Sequence, residues 1–310
     1  MAGFLDGVRV LDLSVWRPGP YATQLLHAYG AEVTKVEPPG GDPMRAFPEL
    51  FESLNAGKAS RRVDLKSEAG RAEVLDLAAT TDVLVEGFRP GVMDRLGVGY
   101  GHVRERNPRV VYCSITGFGQ TGPLRDAPGH DLTYLAWAGA LSPDGAPPVS
   151  PRIPVADLSA GMAAALAVCA ALLQHAGTHI DIAIADVLAT WTGPADARLE
   201  GTSATTRAIP GYGTFATADR GWVALGVLDE DPFWAGLCAA LGLEAHAALG
   251  FAERVARTEE LQPLVAAAIA ARTRTELVDV LVGAGVPCAP VLDRREMLAL
   301  EHFRARRVFE

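Results

Sequence analysis

The first half of the chain alternates short apolar runs with amphipathic stretches, at a spacing that suits a parallel sheet with crossover helices. Val8-Arg-Val-Leu-Asp-Leu13 reads as a buried strand, Gly19–Tyr29 as a helix ending at Gly30, and Glu32-Val-Thr-Lys-Val36 as the next strand. After a Pro/Gly-rich loop, Ser67–Ala79 is amphipathic and leads into Asp82-Val-Leu-Val85, and Val110-Val-Tyr-Cys-Ser-Ile115 follows as a further strand. This rhythm predicts an α/β fold, a Rossmann-like parallel sheet with helices on both faces.

Loops at the carboxyl ends of such strands bind ligands. Here they are Ser14–Pro18, Glu37–Arg45, Glu86–Pro90 and Thr116–Pro123. No Gly-x-Gly-x-x-Gly follows the first strand and no Walker A string occurs, so neither a dinucleotide nor a nucleoside triphosphate site is expected.

The composition shifts near residue 193, where Gly193–Thr214 is rich in Gly, Pro, Thr and Ala with little periodicity. Beyond it Gly221–Val227 reads as a strand, Pro232–Leu241, Thr258–Ala271 and Thr273–Ala284 as helices, and Val286–Leu292 as extended. The expected organisation is a large α/β domain over 1–195, a smaller α+β domain over 196–290, and a C-terminal segment, 291–310, returning towards the large domain.

With a net charge of −9 and no Lys/Arg stripe, nucleic acid is not an expected partner. The apolar run Met162–Leu173 is shorter than a bilayer span and no signal peptide is evident, so no membrane insertion is expected. Four dispersed cysteines without Cys-x-x-Cys spacing suggest reduced thiols and a cytoplasmic protein, and no spacing suggests a metal site.

Two residues carry the chemistry. His130 lies in Gly129-His-Asp-Leu-Thr-Tyr134, and Asp157 immediately precedes the apolar run Leu158–Leu173. A base that titrates near neutrality and a carboxylate at a helix N-terminus are what moving a proton beside a carbonyl requires. Read structurally, the same residues are a loop histidine and an N-cap.

Several strings, in one order, resemble the family III CoA-transferases and the related α-methylacyl-CoA racemases. They are Val8–Leu13, Gly19–Leu26, Gly30–Arg45, Val85–Val92, Ser114–Pro123, Gly129–Tyr134 and Val286–Val291. The resemblance runs from about Leu5 to the C-terminus. It implies the family III CoA-transferase fold, an acyl-CoA thioester as partner with CoA belonging to the substrate, no separate cofactor, and a homodimer. By motif position Arg45 and Arg89, with Lys66 as a further candidate, would meet the CoA phosphates, for which arginine's fork of donors is suited.

The resemblance also implies two chemistries. In the transferases the aspartate at the position of Asp157 attacks the thioester and carries the acyl group as an anhydride. In the racemases it works with a histidine, matched by His130, as an acid/base pair at the α-carbon, and a glutamate after the small-domain strand supports that histidine. Glu230 is the candidate for the latter, with Asp229 and Asp231 as neighbours that fit after a one-residue shift. The expected activity is racemase or epimerase chemistry on a 2-substituted acyl-CoA. CoA transfer through Asp157 is the alternative, and a catalytically silent acyl-CoA-binding homologue a third reading.

Met162, Leu135, Trp137, Tyr212 and Phe215 are candidates to line the acyl pocket. Two departures and one ambiguity stand out. Family members usually continue for some tens of residues beyond the position of Glu310, the segment Gln174–Ile180 lacks the usual Gly-x-Gly-Gln turn, and Ala156–Gly161 is as close to the transferase as to the racemase version.

Overall fold

The four strands read in the first half of the sequence are joined by two more in one six-stranded, all-parallel sheet, in the spatial order third, second, first, fourth, fifth, sixth. The computed structural model describes residues 3–141, 150–192 and 209–308. The strands are β1 Arg9–Leu13, β2 Glu32–Glu37, β3 Ala59–Arg62, β4 Val83–Glu86, β5 Val111–Thr116 and β6 Thr178–Ala183. This order reverses between β1 and β4, which opens a crevice above their carboxyl ends.

Both faces of the sheet are covered. On one side Val10, Val33, Val83, Val85, Val111, Cys113 and Ile115 pack against α1 (Pro18–Ala28) and the later helices α6 (Asp131–Trp137), α7 (Val155–Leu172) and α8 (Ile184–Thr192). On the other, Leu11, Leu13, Leu84 and Tyr112 meet side chains from α3 (Glu68–Ala78), α4 (Val92–Arg95) and α5 (Tyr100–Arg106). The helix α2 (Pro48–Asn55) follows the β2 loop.

The alanine-rich sequence of α7 has a packing consequence. Ala156, Ala160, Gly161 and Ala164 are buried, and a Cβ added at Gly161 would lie 2.7 Å from the carbonyl oxygen of Pro18. The two helix backbones meet with no room for a side chain between them. The helix begins at Val155, earlier than the apolar run suggested, so its 18 residues with mean hydropathy 1.9 have the length and composition of a membrane span. One face of it is nevertheless buried in the core.

Beneath the crevice lies a buried ionic network. Asp12 accepts from Thr23 Oγ1 at 2.6 Å and from the Ser14 backbone and hydroxyl. Lys58 Nζ donates to Pro20 O and Thr23 Oγ1 at 2.8 Å and pairs with Asp12 at 3.3 Å. Lys35 Nζ donates to Ser14 O at 2.8 Å and pairs with Asp42 at 2.9 Å. Two lysines and two aspartates thereby tie the loops after β1 and β2 to the sheet.

The chain divides into two compact units, Met1–Pro194 and Ala195–Glu310. The expected boundary at 195/196 and most of the Gly193–Thr214 stretch lie outside the described residues. The second unit holds an antiparallel sheet β7 (Tyr212–Ala216), β8 (Trp222–Gly226), β9 (Cys288–Pro290) and helices α9 (Asp231–Leu241), α10 (Phe251–Ala256), α11 (Thr258–Ala270) and α12 (Arg274–Gly283). Trp234, Leu237, Val265, Ile269, Leu277 and Leu281 form its core. The last helices, α13 (Arg294–Ala299) and α14 (Glu301–Ala305), belong to this unit. Arg274, at the start of α12, donates to Val291 O and pairs with Glu296, which fastens the start of the 291–310 segment to that helix.

Candidate active site

The crevice holds a cavity of about 360 Å³ built from the loops that follow β1, β4, β5 and β6. Val15, Trp16, Gly87, Phe88, Arg89, Gly117 and Ile184 contribute from those loops, and Arg125, His130, Tyr134 and Asp157 complete it. His130 and Asp157, paired on sequence grounds, are therefore brought to one cavity. Trp16 has a left-handed backbone with φ of 63°. That conformation costs a bulky residue about 1–2 kcal/mol, a strain typical of functional loops.

His130 is the N-cap of α6. Its backbone N–H donates to Thr133 Oγ1 at 2.9 Å, and the Thr133 hydroxyl donates back to His130 O at 2.7 Å. These bonds fix the main chain and leave the imidazole exposed to the cavity. Asp157 sits in the first turn of α7, partly buried, and its N–H donates to Asp131 Oδ1 at 2.9 Å. Burial first, and the neighbouring Asp131 second, push its carboxyl up to about 6, while Arg17 and His130 pull the other way. Tyr134 is wedged between two glycines: a Cβ on Gly117 or Gly129 would lie 2.6 or 2.4 Å from its ring. Burial and Asp157 raise the Tyr134 phenol, and Arg89 opposes them.

A second, more apolar cavity of about 630 Å³ adjoins the first, sharing Val15, Gly87 and Phe88 with it. Leu13, Val36, Pro38, Pro39, Val63 and Lys66 line it. Of the three residues expected at the CoA phosphates, Arg89 is exposed in the first cavity and Lys66 in the second. Arg45 is among the lining residues of neither. Its Nε and Nη2 each donate to Glu37 at 2.6 Å and its guanidinium lies 4.0 Å from the Phe51 ring centre, so it braces the loop after β2. The same bonds, with the Ser60 hydroxyl, hold the buried Glu37 carboxyl down at about 2.

Glu230 is an exposed residue of the second unit at the N-cap of α9, its carboxylate accepting from Leu228 N at 3.3 Å. Its neighbour Asp231 pairs at 3.1 Å with the fully buried Arg254, which also donates to Leu228 O. Among the acyl-pocket candidates Leu135 and Phe215 are core residues, whereas Met162, Trp137 and Tyr212 are exposed. Of the three in the first unit, Leu135, Trp137 and Met162, none lines the cavity that holds Asp157. Arg17 and Arg125, which carried no motif signal, are the additional charges near Asp157. Among the described residues no group of three His, Cys, Asp or Glu side chains is arranged to hold a metal ion.

Comparison with known proteins agrees with this architecture. Residues 5–310 match CoA-transferase family III. The acetyl-CoA:oxalate CoA-transferase of Acetobacter aceti is 33% identical over 334 aligned positions, covering 98% of this chain and 85% of the relative. The succinate–glutarate CoA-transferase of Agrobacterium fabrum is 34% identical over 340, covering 97% and 83%. Among solved structures, that of Rv3272 from Mycobacterium tuberculosis superposes with a TM-score of 0.87 at 33% identity, covering 98% of this chain and 88% of that one.

Proposed function

The chain belongs to CoA-transferase family III, and from that premise we propose that it moves coenzyme A between carboxylic acids with Asp157 as the nucleophile. The observation that carries this reading is the state of Asp157 in its cavity. A carboxyl raised to about 6 is ionised by roughly ten to one at pH 7, and it is more basic than an ordinary carboxylate. An ionised, basic carboxylate is what attack on a thioester carbonyl demands.

Attack by an Asp157 oxygen forms an acyl anhydride as the C–S bond breaks and CoA leaves as thiolate. The thiolate then attacks the aspartyl carbonyl, releasing the first acid and leaving CoA as a thioester on Asp157. An incoming carboxylate repeats the two exchanges in reverse order. The chemistry uses no cofactor beyond the CoA of the substrate. In this reading the apolar cavity takes the nucleotide end of CoA, with Lys66 and Arg89 near its phosphates, and the thioester lies beside Asp157. The names of two relatives, the oxalate and glutarate CoA-transferases, point to small carboxylates as exchange partners, and that of Rv3272, a probable fatty acyl-CoA transferase, points to fatty acyl groups.

The racemase chemistry expected from the Gly129-His-Asp string stands second, favoured by the presence of His130 in the same cavity as Asp157. A single pair of experiments separates them. Incubation with an acyl-CoA and hydroxylamine should leave a hydroxamate on Asp157, located by peptide mass spectrometry, and Asp157→Asn should leave none. Deuterium uptake at the α-carbon of a 2-methylacyl-CoA in D₂O, lost in His130→Ala and unaccompanied by an adduct, would overturn transfer in favour of racemisation.

A further inference from the structure

Behind the loop that follows β4 lies a third, smaller cavity, of about 210 Å³, which the transfer chemistry does not use. Its floor is Glu86 and Ser114, both buried, and they stand opposite each other on β4 and β5. Asp181 on β6 is in register with Ser114, so all three side chains leave the same face of the sheet. Ser114 Oγ is 2.9 Å from His179 Nε2, and the His179 ring stacks on Tyr100 with centroids 5.0 Å apart.

The connection to the candidate active site runs through one hydrogen bond. Glu86 Oε2 accepts the backbone N–H of Phe88 at 2.8 Å, closing the turn Gly87-Phe88-Arg89. Gly87 and Phe88 line both larger cavities, and Arg89 lines the one holding Asp157. An ionised carboxylate is a markedly stronger acceptor for that N–H than a protonated one. The groups facing Glu86 are Arg89 in the loop, Asp94 from α4, Tyr100 from α5, Tyr112 from β5, and His179 and Asp181 from β6. Asp94 and Asp181 carry its own sign, so burial and repulsion hold its carboxyl up at about 7, against the Ser114 hydroxyl and the Phe88 N–H.

We propose that Glu86 is a positioning residue whose ionised carboxylate holds the Phe88–Arg89 turn in the shape that receives coenzyme A, so that affinity for the coenzyme follows the protonation of a residue remote from it. This rests on the reading that coenzyme A occupies the two larger cavities. Below neutrality Glu86 takes up a proton, the bond to Phe88 weakens, and the turn is released.

The test is calorimetric titration with free CoA from pH 5.5 to 8.5, on the wild type and Glu86→Gln. The ionisation of the coenzyme itself is common to both curves. Wild-type affinity should fall about tenfold relative to the variant's own trend between pH 8 and pH 6, one pH unit below the midpoint being worth a factor of about ten. Glu86→Gln should bind weakly and lack that component. Ser114→Ala, which removes a hydroxyl that favours the ionised form, should move the inflection to higher pH, and it serves as the test if Glu86→Gln does not fold. Parallel curves for wild type and variant would overturn the proposal. CoA binding with the Glu86-dependent inflection but no adduct on Asp157 would overturn the transferase assignment alone, and absence of CoA binding would overturn both.

Discussion

Asp131 Oδ1 accepts the backbone N–H of Asp157 at 2.9 Å, joining the residue after His130 to the first turn of α7. One carboxylate thereby does two things. It fixes the loop that presents His130 against the helix that presents Asp157, the proposed nucleophile, and its charge adds to burial in raising the Asp157 carboxyl.

The pH dependence of transfer follows from that pair. In the proposed transfer Asp157 is ionised when it attacks, so kcat/KM for acyl-CoA should rise with pH through about 6 and fall about tenfold per unit below it. Asp131→Asn keeps an acceptor for the Asp157 N–H but removes the repelling charge, and should shift the inflection to lower pH. Asp131→Ala removes the acceptor as well and should also lower kcat. Steady-state rates from pH 4.5 to 8 check both; an unmoved inflection in Asp131→Asn would refute the coupling.

Asp157 and Glu86 should both lower the stability of the fold at neutral pH. Each has a folded-state carboxyl raised above its ordinary value, to about 6 and about 7. The folded state therefore holds their protons more tightly than the unfolded chain, and stability is lost as pH rises from about 4 through those values. At one pH unit shifted per 1.4 kcal/mol, each costs at most about 3 kcal/mol at pH 8. Asp157→Asn and Glu86→Gln should raise the denaturant midpoint at pH 8 and leave it nearly unchanged at pH 4. A loss of stability at pH 8 would contradict the burial assigned to them.

The ionic network under the crevice should behave in the opposite way. Lys58 is 1% exposed and its partners Asp12, Pro20, Thr23 and Asn55 come from three different segments. Lys58→Met removes one charge from a buried set, leaving Asp12 to Lys35 alone. Such losses cost about 3–5 kcal/mol. Chemical denaturation should show a lowered midpoint, and a neutral result would mean that Lys35 compensates fully.

Gly161→Ala tests the close approach of α1 and α7. The added methyl would sit 2.7 Å from Pro18 O and 2.9 Å from the Tyr21 ring, and the first of these is backbone that cannot turn away. Overpacking of this kind costs about 1–3 kcal/mol. Since Pro18 lines the cavity of Asp157, the KM for acyl-CoA should rise as well. Thermal melts and steady-state kinetics on one preparation would separate the two effects.

How far the sequence could be read depends on position in the sheet. The inner strands β1, β4 and β5 are buried almost throughout and stood out as apolar runs, and β2 was legible from Val33 and Val36 although it also carries Lys35 and Glu37. The strands that escaped, β3 and β6, are the two edges. Ala-Ser-Arg-Arg is wholly exposed and Thr-His-Ile-Asp-Ile-Ala alternates, because an edge strand is paired on one side only and needs no continuous apolar face. At the site, His130 and Asp157 were legible since their residue types and flanking turns announce them. The pairing of Arg45 with Glu37 was not legible, because that carboxylate lies eight residues away across a loop. The Glu86 chamber was hidden for a stronger reason: Ser114 and His179 are 65 residues apart and meet only because β5 and β6 are neighbours.

The burial of Lys35 and Lys58 also decides what reagents see. The chain has three lysines, and the third, Lys66, is exposed at the apolar cavity beside the candidate active site. Apart from the α-amine, the folded protein presents one ε-amine to its surroundings. An amine-reactive fluorophore or resin would attach at the mouth of that cavity, which makes Lys66 a ready-made reporter for occupancy and a poor choice of tether for any immobilised form meant to stay active.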